Sequence, residues 1–384
     1  PEAPIPVKKQ AKYNVTRWAV TGRDDIGLNT ACWRMFHSMV KGHDPSRARP
    51  WETSPKPWRR LCRLWASDLR THTTEKRWED GLTQLEDLKK MISNDGWAPS
   101  NPKKCHTHGN DSSAVRTSRD GRWFELETDA IELRLNCRRG LTIDRLRIKS
   151  VSAEPLVGTV HHGYYEDITL GADFFTGHTI VEIPGHRKVA DLNRVEPTWT
   201  LDEPRGEARV TGTIHTPFGP IRKTLVIPQE GNWIRMSVGF DWDRRPLGTI
   251  RTAIVTLLPW AFDTGSLFYH TNDGGDSPET FHLAETTDVN HPDPASVIVS
   301  ASQGLGATEG QLTMGDARQE VTLGWDPAEL AVMPMIFFRK RRGQWLLRTL
   351  FSLGEIDETR RLDDERAMGE RPPRSVLRGW DSEE

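Results

Sequence analysis

The sequence lacks an excess of charge of either sign, since 52 lysines and arginines face 54 aspartates and glutamates among 384 residues, a formal net charge of −2. A nucleic-acid-binding protein usually has a basic excess or a recognisable binding module. The chain shows neither, so we expect no nucleic-acid partner. Long apolar runs are also missing. The longest, 254–260 and 331–338, are far too short to cross a bilayer, so we expect no membrane partner.

Cysteine is scarce too, and Cys32, Cys62, Cys105 and Cys137 have neither disulfide-framework nor metal-site spacing. This favours free thiols in a reducing compartment, so we expect a cytoplasmic protein. The segment Cys105–His108 holds three potential zinc ligands, yet no second ligand set follows at zinc-site spacing. No phosphate-binding or dinucleotide-binding loop is present either. We therefore expect no metal and no cofactor.

Tryptophan, by contrast, is plentiful, with 15 residues against only 4 tyrosines. Indole rings stack on sugar rings in carbohydrate sites, but large β cores also bury them. Each tryptophan taken alone is therefore interpreted as structural.

Helical periodicity dominates the first quarter of the chain. The clearest stripe is Trp58, Leu61, Trp65 and Leu69, and a second helix begins near Asp24. A third spans Trp78–Ile92. The predicted organisation is a linker (1–12), a helical segment (13–96), a connecting loop (97–120), a β-sandwich domain (121–363) and a polar tail (364–384).

After residue 120 the apolar pattern changes to the alternation of strands. Ile131, Leu133 and Leu135 alternate with polar residues, and the turn Arg138–Gly140 predicts a hairpin. Similar runs recur without helices between them at 208–214, 223–227, 233–240, 250–258, 297–300, 320–323, 333–338 and 345–351. These features predict an α+β, mainly β fold, in which about three helices precede a large antiparallel β-sandwich. The expected sandwich resembles the mutarotase-like, supersandwich type.

Three segments resemble glycoside hydrolase family 57 proteins: Leu61–Asp68, Asn136–Leu141 and Phe351–Arg360. The first is similar to a family segment in which a Ser-Asp pair follows apolar residues. The second is similar to the opening of the C-terminal sandwich in this family and in the related family 38 mannosidases. The third is similar to the end of some bacterial homologues. The order of helical segment, loop and sandwich also resembles the part of these proteins that follows the catalytic barrel.

The resemblance implies the C-terminal, non-barrel half of a family 57-like glycoside hydrolase that acts on α-linked glucans or a similar polysaccharide. The sandwich would support the active site or bind glycan. The family's catalytic Glu and Asp lie on the barrel, which we expect ahead of Pro1 in the same chain or in a partner chain. In the family the aspartate of the Ser-Asp pair reaches the active site, which makes Asp68 a candidate catalytic residue. Here Leu69 stands where an aromatic residue often follows.

The residues around Asp68 form the first candidate cluster. His72 follows one helical turn later and could share a hydrogen bond with Asp68, so both are candidate catalytic groups. Trp65 and Arg70 are candidate substrate-binding groups, because an indole can stack on a sugar and a guanidinium can bond its hydroxyls. The alternative is a solvated helix face.

The second candidate cluster, within residues 161–178, concentrates rings, imidazoles and carboxylates. The candidate substrate-binding residues are His162, Tyr165, Glu166, Asp167 and His178. Glu166 and Asp167 point in different directions on an extended chain, so they are not by themselves the facing carboxylates of a glycosidase. The alternative is a long loop that packs on the helical segment.

Two other functions stay open. In a self-sufficient enzyme with a mutarotase-like sandwich, His162, Tyr165, Glu166 and His178 would serve as acid, base and positioning groups for epimerisation or elimination. The other is a non-catalytic carbohydrate-binding module. In every case the expected partner is an oligo- or polysaccharide.

Overall fold

The structure is a computed structural model and describes residues 24–40, 55–66, 69, 73–94, 115–164, 173–243, 246–275 and 277–357. Within these ranges the helices are α1 (Asp25–Val40), α2 (Pro55–Trp65) and α3 (Glu75–Asn94). The three predicted helices are confirmed, although α2 ends at Trp65 rather than at Leu69. None of the described helices is long and apolar enough to cross a membrane.

Side chains at the helix starts satisfy backbone groups that have no partner within the helix. The Asp24 carboxylate accepts a hydrogen bond from the Gly27 N–H at 3.2 Å. The Thr74 hydroxyl accepts one from the Arg77 N–H at 3.4 Å. Pro57 lies in the first turn of α2, where a missing N–H costs nothing. The helix starts are therefore dictated locally by the sequence.

The three helices share a small apolar core, to which each contributes one stripe. Its buried residues are Leu28, Cys32, Met35, Met39, Trp58, Leu61, Leu64, Leu85, Leu88 and Ile92. Helix α1 also contacts the β part of the chain. Ile26 is buried among sheet residues, and the Thr30 hydroxyl accepts a hydrogen bond from the Ala331 N–H at 2.9 Å.

The strands form four sheets, and every strand pair in them is antiparallel. Sheet I contains, in spatial order, β1 (Arg116–Arg119), β2 (Trp123–Glu127), β3 (Ile131–Asn136), β4 (Thr142–Ile148) and β5 (Val157–Gly158). Sheet II contains β8 (Thr198–Asp202), β9 (Glu207–Thr216), β10 (Gly219–Pro228) and β11 (Arg235–Phe240), in the order β11-β10-β9-β8.

Sheet III contains β6 (Ile180–Glu182), β7 (Val189–Ala190), β12 (Thr249–Thr256), β15 (Asp288–Asn290), β18 (Met333–Arg341) and β19 (Gln344–Gly354). Their spatial order is β15-β18-β19-β12-β6-β7. Sheet IV contains β13 (Phe268–Thr271), β14 (Glu279–His282), β16 (Gln311–Gly315) and β17 (Glu320–Gly324), in the order β14-β13-β16-β17.

One main hydrophobic core joins all four sheets. It includes Leu133 from sheet I, Leu225 from sheet II, Leu347 from sheet III and Leu312 from sheet IV, each almost completely buried. A second core joins sheets II and III. Apolar faces of antiparallel sheets packed on a shared core define a sandwich. The predicted α+β, mainly β fold is therefore confirmed.

The predicted hairpin is confirmed, with Leu133 of β3 opposite Leu146 of β4. The predicted strand at 297–300 is wrong. Ser296 and Val299 bridge across a tight turn whose tip, Val297, is fully exposed, so an apolar run alone did not indicate a strand here. Strand β1 lies within the range predicted as the connecting loop 97–120. Its four residues are all exposed and polar, so no alternation marks it.

The turn between β3 and β4 is anchored by a buried ion pair. The Lys223 Nζ lies 2.9 Å from the Asp191 Oδ2 and donates to the Gly140 carbonyl at 2.7 Å, and both charged side chains are fully buried. Burial lowers the pKa of Lys223, and the Asp191 charge opposes that effect. Gly140 has a φ of 62°, and a Cβ there would overlap the Asp191 carbonyl, so the position requires glycine. The buried Lys223 thus links Asp191 to the backbone of this turn.

Candidate functional site

The structure describes both ends of the second predicted cluster, residues 161–164 and 173–178, and brings them together. Val160 and Phe174 pair as an antiparallel bridge, with N–H to carbonyl distances of 3.2 and 2.8 Å. His162–Tyr164 then form one turn of 3-10 helix. The bridge therefore brings residues 161–164 close to residues 173–178.

His162 and Asp173 form the polar half of the site. The Asp173 Oδ1 accepts a hydrogen bond from the His162 N–H at 3.2 Å and lies 3.0 Å from the His162 Nδ1. The His161 Nδ1 lies 3.7 Å from the same oxygen. Partial burial raises the pKa of Asp173, but the hydrogen bonds from His162 outweigh it and hold the pKa below its usual value. Asp173 is therefore a charged acceptor at neutral pH, and its imidazole neighbours are exposed.

Tyr164 and Trp260 form the aromatic half. Their ring centroids lie 6.1 Å apart in an edge-to-face arrangement. Trp260 is 51% exposed in the short turn that follows β12, whereas burial raises the pKa of the Tyr164 phenol. His162 and Tyr164 lie on the same 3-10 turn, which links the two pairs, and we call His162, Tyr164, Asp173 and Trp260 the His162–Trp260 surface. It combines a half-exposed indole with a carboxylate that is bonded to His162.

Arg348 of β19 lies nearby in the same part of the fold. Its guanidinium donates to the Thr256 hydroxyl and the Phe175 carbonyl, each at 3.0 Å, and lies 5.4 Å from the Phe174 ring centroid. Burial lowers its pKa to about 10, so it remains a cation at neutral pH. Within the described residues no carboxylate pairs with Arg348. Arg348 therefore connects β19 to the end of β12 and to the backbone next to Phe174.

His178, a predicted substrate-binding residue, lies in the interior. It is 5% exposed, and its ring centroid is 6.0 Å from that of Phe175. Burial lowers its pKa well below the usual value, and the charges of Arg348 and Lys223 lower it further. The structure therefore does not bring His178 to the same surface as His162.

Trp65, at the end of α2, lies among aromatic side chains of the helical core. Its ring centroid is 6.4 Å from that of Trp33 and 6.1 Å from that of Phe36. The other predicted site residues lie outside the described residues: Asp68, Arg70, His72, Tyr165, Glu166 and Asp167. The role of Trp65 as a sugar-stacking residue stays a prediction.

Metal ligands do not cluster in the described part of the chain, where no three His, Cys, Asp or Glu side chains converge. The segment Cys105–His108 lies outside it. The described cysteines Cys32, Cys62 and Cys137 form no disulfide.

Sequence reasoning missed two residues of this region, Trp260 and Arg348, and gave no role to Asp173. Trp260 follows Pro259 directly after the apolar end of β12, and that turn was the available signal. Arg348 interrupts the apolar run of β19, but nothing local indicates what it faces. Both meet His162 or its neighbours only because sheet III places β12 beside β19.

No family model matches the chain, and a search of curated proteins finds no match. Among solved structures, a galactose mutarotase-like protein from Clostridium acetobutylicum is similar at 8% identity and a TM-score of 0.35, covering 66% of this chain and 92% of that one. A 4-alpha-glucanotransferase from Thermococcus litoralis is similar at 11% identity and a TM-score of 0.22, covering 86% of this chain. The match spans 49% of the glucanotransferase, about half its length. At these identities and TM-scores neither likeness assigns a family or an activity.

Proposed function

We propose that the protein is carbohydrate-active and that the His162–Trp260 surface contacts glycan. The observation that carries the proposal is the half-exposed Trp260 indole against Tyr164, on the 3-10 turn that also carries His162, the partner of the charged Asp173. A sugar ring has an apolar face and a rim of hydroxyl groups. An indole supports the face by stacking, while a fixed carboxylate and an imidazole hydrogen-bond the rim.

The finer proposal comes from the sequence resemblance to glycoside hydrolase family 57. The chain would be the non-barrel half of such an enzyme, and α-linked glucan is the first ligand to test. Asp68 and His72 would complete the active site from the helical segment. The test is the intact mass of the protein from its native source. If a catalytic-sized domain precedes Pro1, Asp68→Ala should lower turnover of the full-length enzyme, and unchanged turnover would refute this role.

The glycan contact is tested with Trp260→Ala and affinity electrophoresis in gels containing dextran, a soluble α-glucan. Loss of one stacking ring should weaken binding about tenfold, which corresponds to about 1.4 kcal/mol. Trp199→Ala is the matched control, because Trp199 is a comparably exposed indole (41%) on β8 of sheet II. If both variants migrate like the wild type, the His162–Trp260 surface does not bind this glycan.

One observation favours a second candidate, the self-sufficient sandwich enzyme. The His162 Nδ1 lies 3.0 Å from the Asp173 carboxylate, an arrangement that orients an imidazole as a general base. The assay is polarimetry of freshly dissolved reducing sugars, with His162→Asn compared to His161→Asn. A turnover that only His162→Asn removes supports this function. Absence of turnover in the wild type, or equal loss in both variants, argues against it.

A further inference from the structure

A cavity of about 490 Å³ lies beside the His162–Trp260 surface and shares Asp173 with it. Guanidinium groups dominate its lining, which consists of Arg122, Asn136, Arg138, Arg139, Asp173 and Arg194. Four cations therefore border one cavity together with a single carboxylate. Guanidinium groups this close repel one another unless an anion lies between them.

Three of the four arginines of this cavity have no carboxylate partner among the described residues. In the part of the chain that the structure describes, Arg122, Arg138 and Arg139 form no ion pair with a carboxylate. Asp120 borders Arg122 and Arg138, but its carboxylate accepts backbone N–H groups at 2.9 and 2.7 Å. Asp173 is bonded to His162 as described above. Within the described ranges, no carboxylate therefore competes with a ligand for the guanidinium groups of Arg122, Arg138 and Arg139.

Two of the arginines are held by exposed contacts. The Arg122 Cζ lies 4.4 Å from the centroid of the Trp123 ring, a cation–π contact that needs none of the guanidinium N–H donors. Arg194 lies 3.6 Å from Glu196, and both side chains are mostly exposed. Such an exposed pair contributes little, so a ligand anion can compete for Arg194. Counting Asp120 and Glu196 with the lining residues, guanidinium groups still outnumber carboxylates four to three.

The other two, Arg138 and Arg139, lie on a rigid turn. The Asn136 side chain accepts the Arg138 N–H at 3.1 Å, and its carbonyl accepts the Arg139 N–H at 3.1 Å. The buried Lys223 bonds the carbonyl of the same turn, as described under the fold. A turn fixed before binding loses little entropy when a ligand arrives. The backbone that carries this arginine pair is therefore fixed before a ligand binds.

We propose that this cavity binds acidic substituents of a glycan, carboxylate or sulfate groups, while the sugar ring lies on the His162–Trp260 surface. The inference rests on the proposed glycan contact and adds the substrate class. Planar guanidinium groups form paired hydrogen bonds with carboxylate and sulfate oxygens, which neutral hydroxyls cannot match. Asp173, at the border of the two regions, would accept a hydroxyl of the same sugar.

Dextran, carboxymethyl-dextran and dextran sulfate test the proposal, because they share one α-glucan backbone and differ in charge. Affinities are measured by isothermal titration calorimetry at fixed ionic strength. We expect at least one acidic dextran to bind about tenfold or more tightly than dextran, since hydrogen bonds to charged groups are the stronger ones. The carboxymethyl and sulfate arms distinguish the two acidic groups.

The chain offers a matched control, because Arg341-Arg342-Gly343 repeats the Arg-Arg-Gly sequence where β18 ends and the turn to β19 begins. Arg138→Ala/Arg139→Ala should abolish the preference for the acidic dextran and leave dextran binding unchanged. Arg341→Ala/Arg342→Ala removes the same charge elsewhere and should keep the preference. Arg194→Ala should weaken it through a single exposed residue that the fold does not require.

The outcomes separate the two proposals. If the wild type binds dextran and both acidic forms equally, the anion site is refuted and the glycan contact stands. If Arg138→Ala/Arg139→Ala keeps the preference, or both double variants lose it alike, the anion site is refuted as well. If no form of dextran binds, the glycan contact on this backbone fails with it.

Discussion

Lys223→Met removes the cation beneath the β3–β4 turn and leaves the Asp191 carboxylate buried. Lys223 makes two contacts there, 2.9 Å to the Asp191 Oδ2 and 2.7 Å to the Gly140 carbonyl, and methionine can make neither. The Asp191 Oδ1 keeps the hydrogen bond from the Thr179 N–H at 2.8 Å. In the variant, the buried Asp191 carboxylate and the Gly140 carbonyl therefore both lose their contact with the Lys223 ammonium group.

The expected cost follows from that geometry. Removing one partner of a buried ion pair destabilises a protein by about 3 to 5 kcal/mol, because the remaining charge has lost its compensation. Both side chains are fully buried, so no solvent screening reduces this figure. A second change, Asp191→Asn, neutralises the stranded charge and keeps an acceptor for Thr179. The double variant should therefore be more stable than Lys223→Met alone.

Urea unfolding followed by tryptophan fluorescence measures these free energies. The reasoning predicts strong coupling between the two sites in a double-mutant cycle. A Lys223→Met variant within about 1 kcal/mol of wild type would refute it, because a buried unpaired carboxylate should cost several times more. Additive losses in the double variant would also refute it.

Three further predictions concern stability. Gly140→Ala should lower the free energy of unfolding by about 2 kcal/mol or more, because the added Cβ overlaps the Asp191 carbonyl. Gly343→Ala should lower it by about 1 kcal/mol, because Gly343 also has a positive φ, 82°, but has open space around it. Burial lowers the pKa of His291 from 6.5 to about 4, so stability should fall by up to about 3 kcal/mol between those pH values, and His291→Asn should flatten the curve. Arg251→Met removes the cation that bonds the buried Glu355 carboxylate at 2.9 and 3.0 Å, and should destabilise the fold by about 3 to 5 kcal/mol.

The glycine variants are compared by urea unfolding, and equal losses would contradict the overlap at Gly140. The sign for His291 follows because the unfolded chain binds the proton first as pH falls, so acid destabilises the fold. An unchanged pH slope in His291→Asn would show that another group titrates. If Arg251→Met lowers the free energy of unfolding by less than about 1 kcal/mol, the Glu355 carboxylate is in contact with water and the prediction is wrong.

Local patterns predicted much of the fold, and their failures have physical causes. The stripe through Trp58 and Leu61 marked α2, and the alternation in β3 marked the hairpin, because both periods are properties of consecutive residues. The run at 297–300 failed because apolar composition does not report exposure. Strand β1 failed because an exposed polar edge strand has no apolar face to detect.

The candidate site was predictable only in part. His162 and Asp173 come from one short stretch of sequence, so their concentration of polar groups was visible. Trp260 was not, because it reaches Tyr164 from the end of another strand. The arginine cavity was hidden for the same reason, since its residues come from separate turns of the chain.

The sequence by itself determined the three helices, many of the strands, and that the chain is mainly β. Those properties depend on neighbours along the chain. Only the tertiary structure decided that Lys223 meets Asp191 beneath Gly140 and that His178 is buried while His162 is exposed. These contacts and this difference in burial depend on strand order, register and sheet packing, which bring together residues that are far apart in sequence.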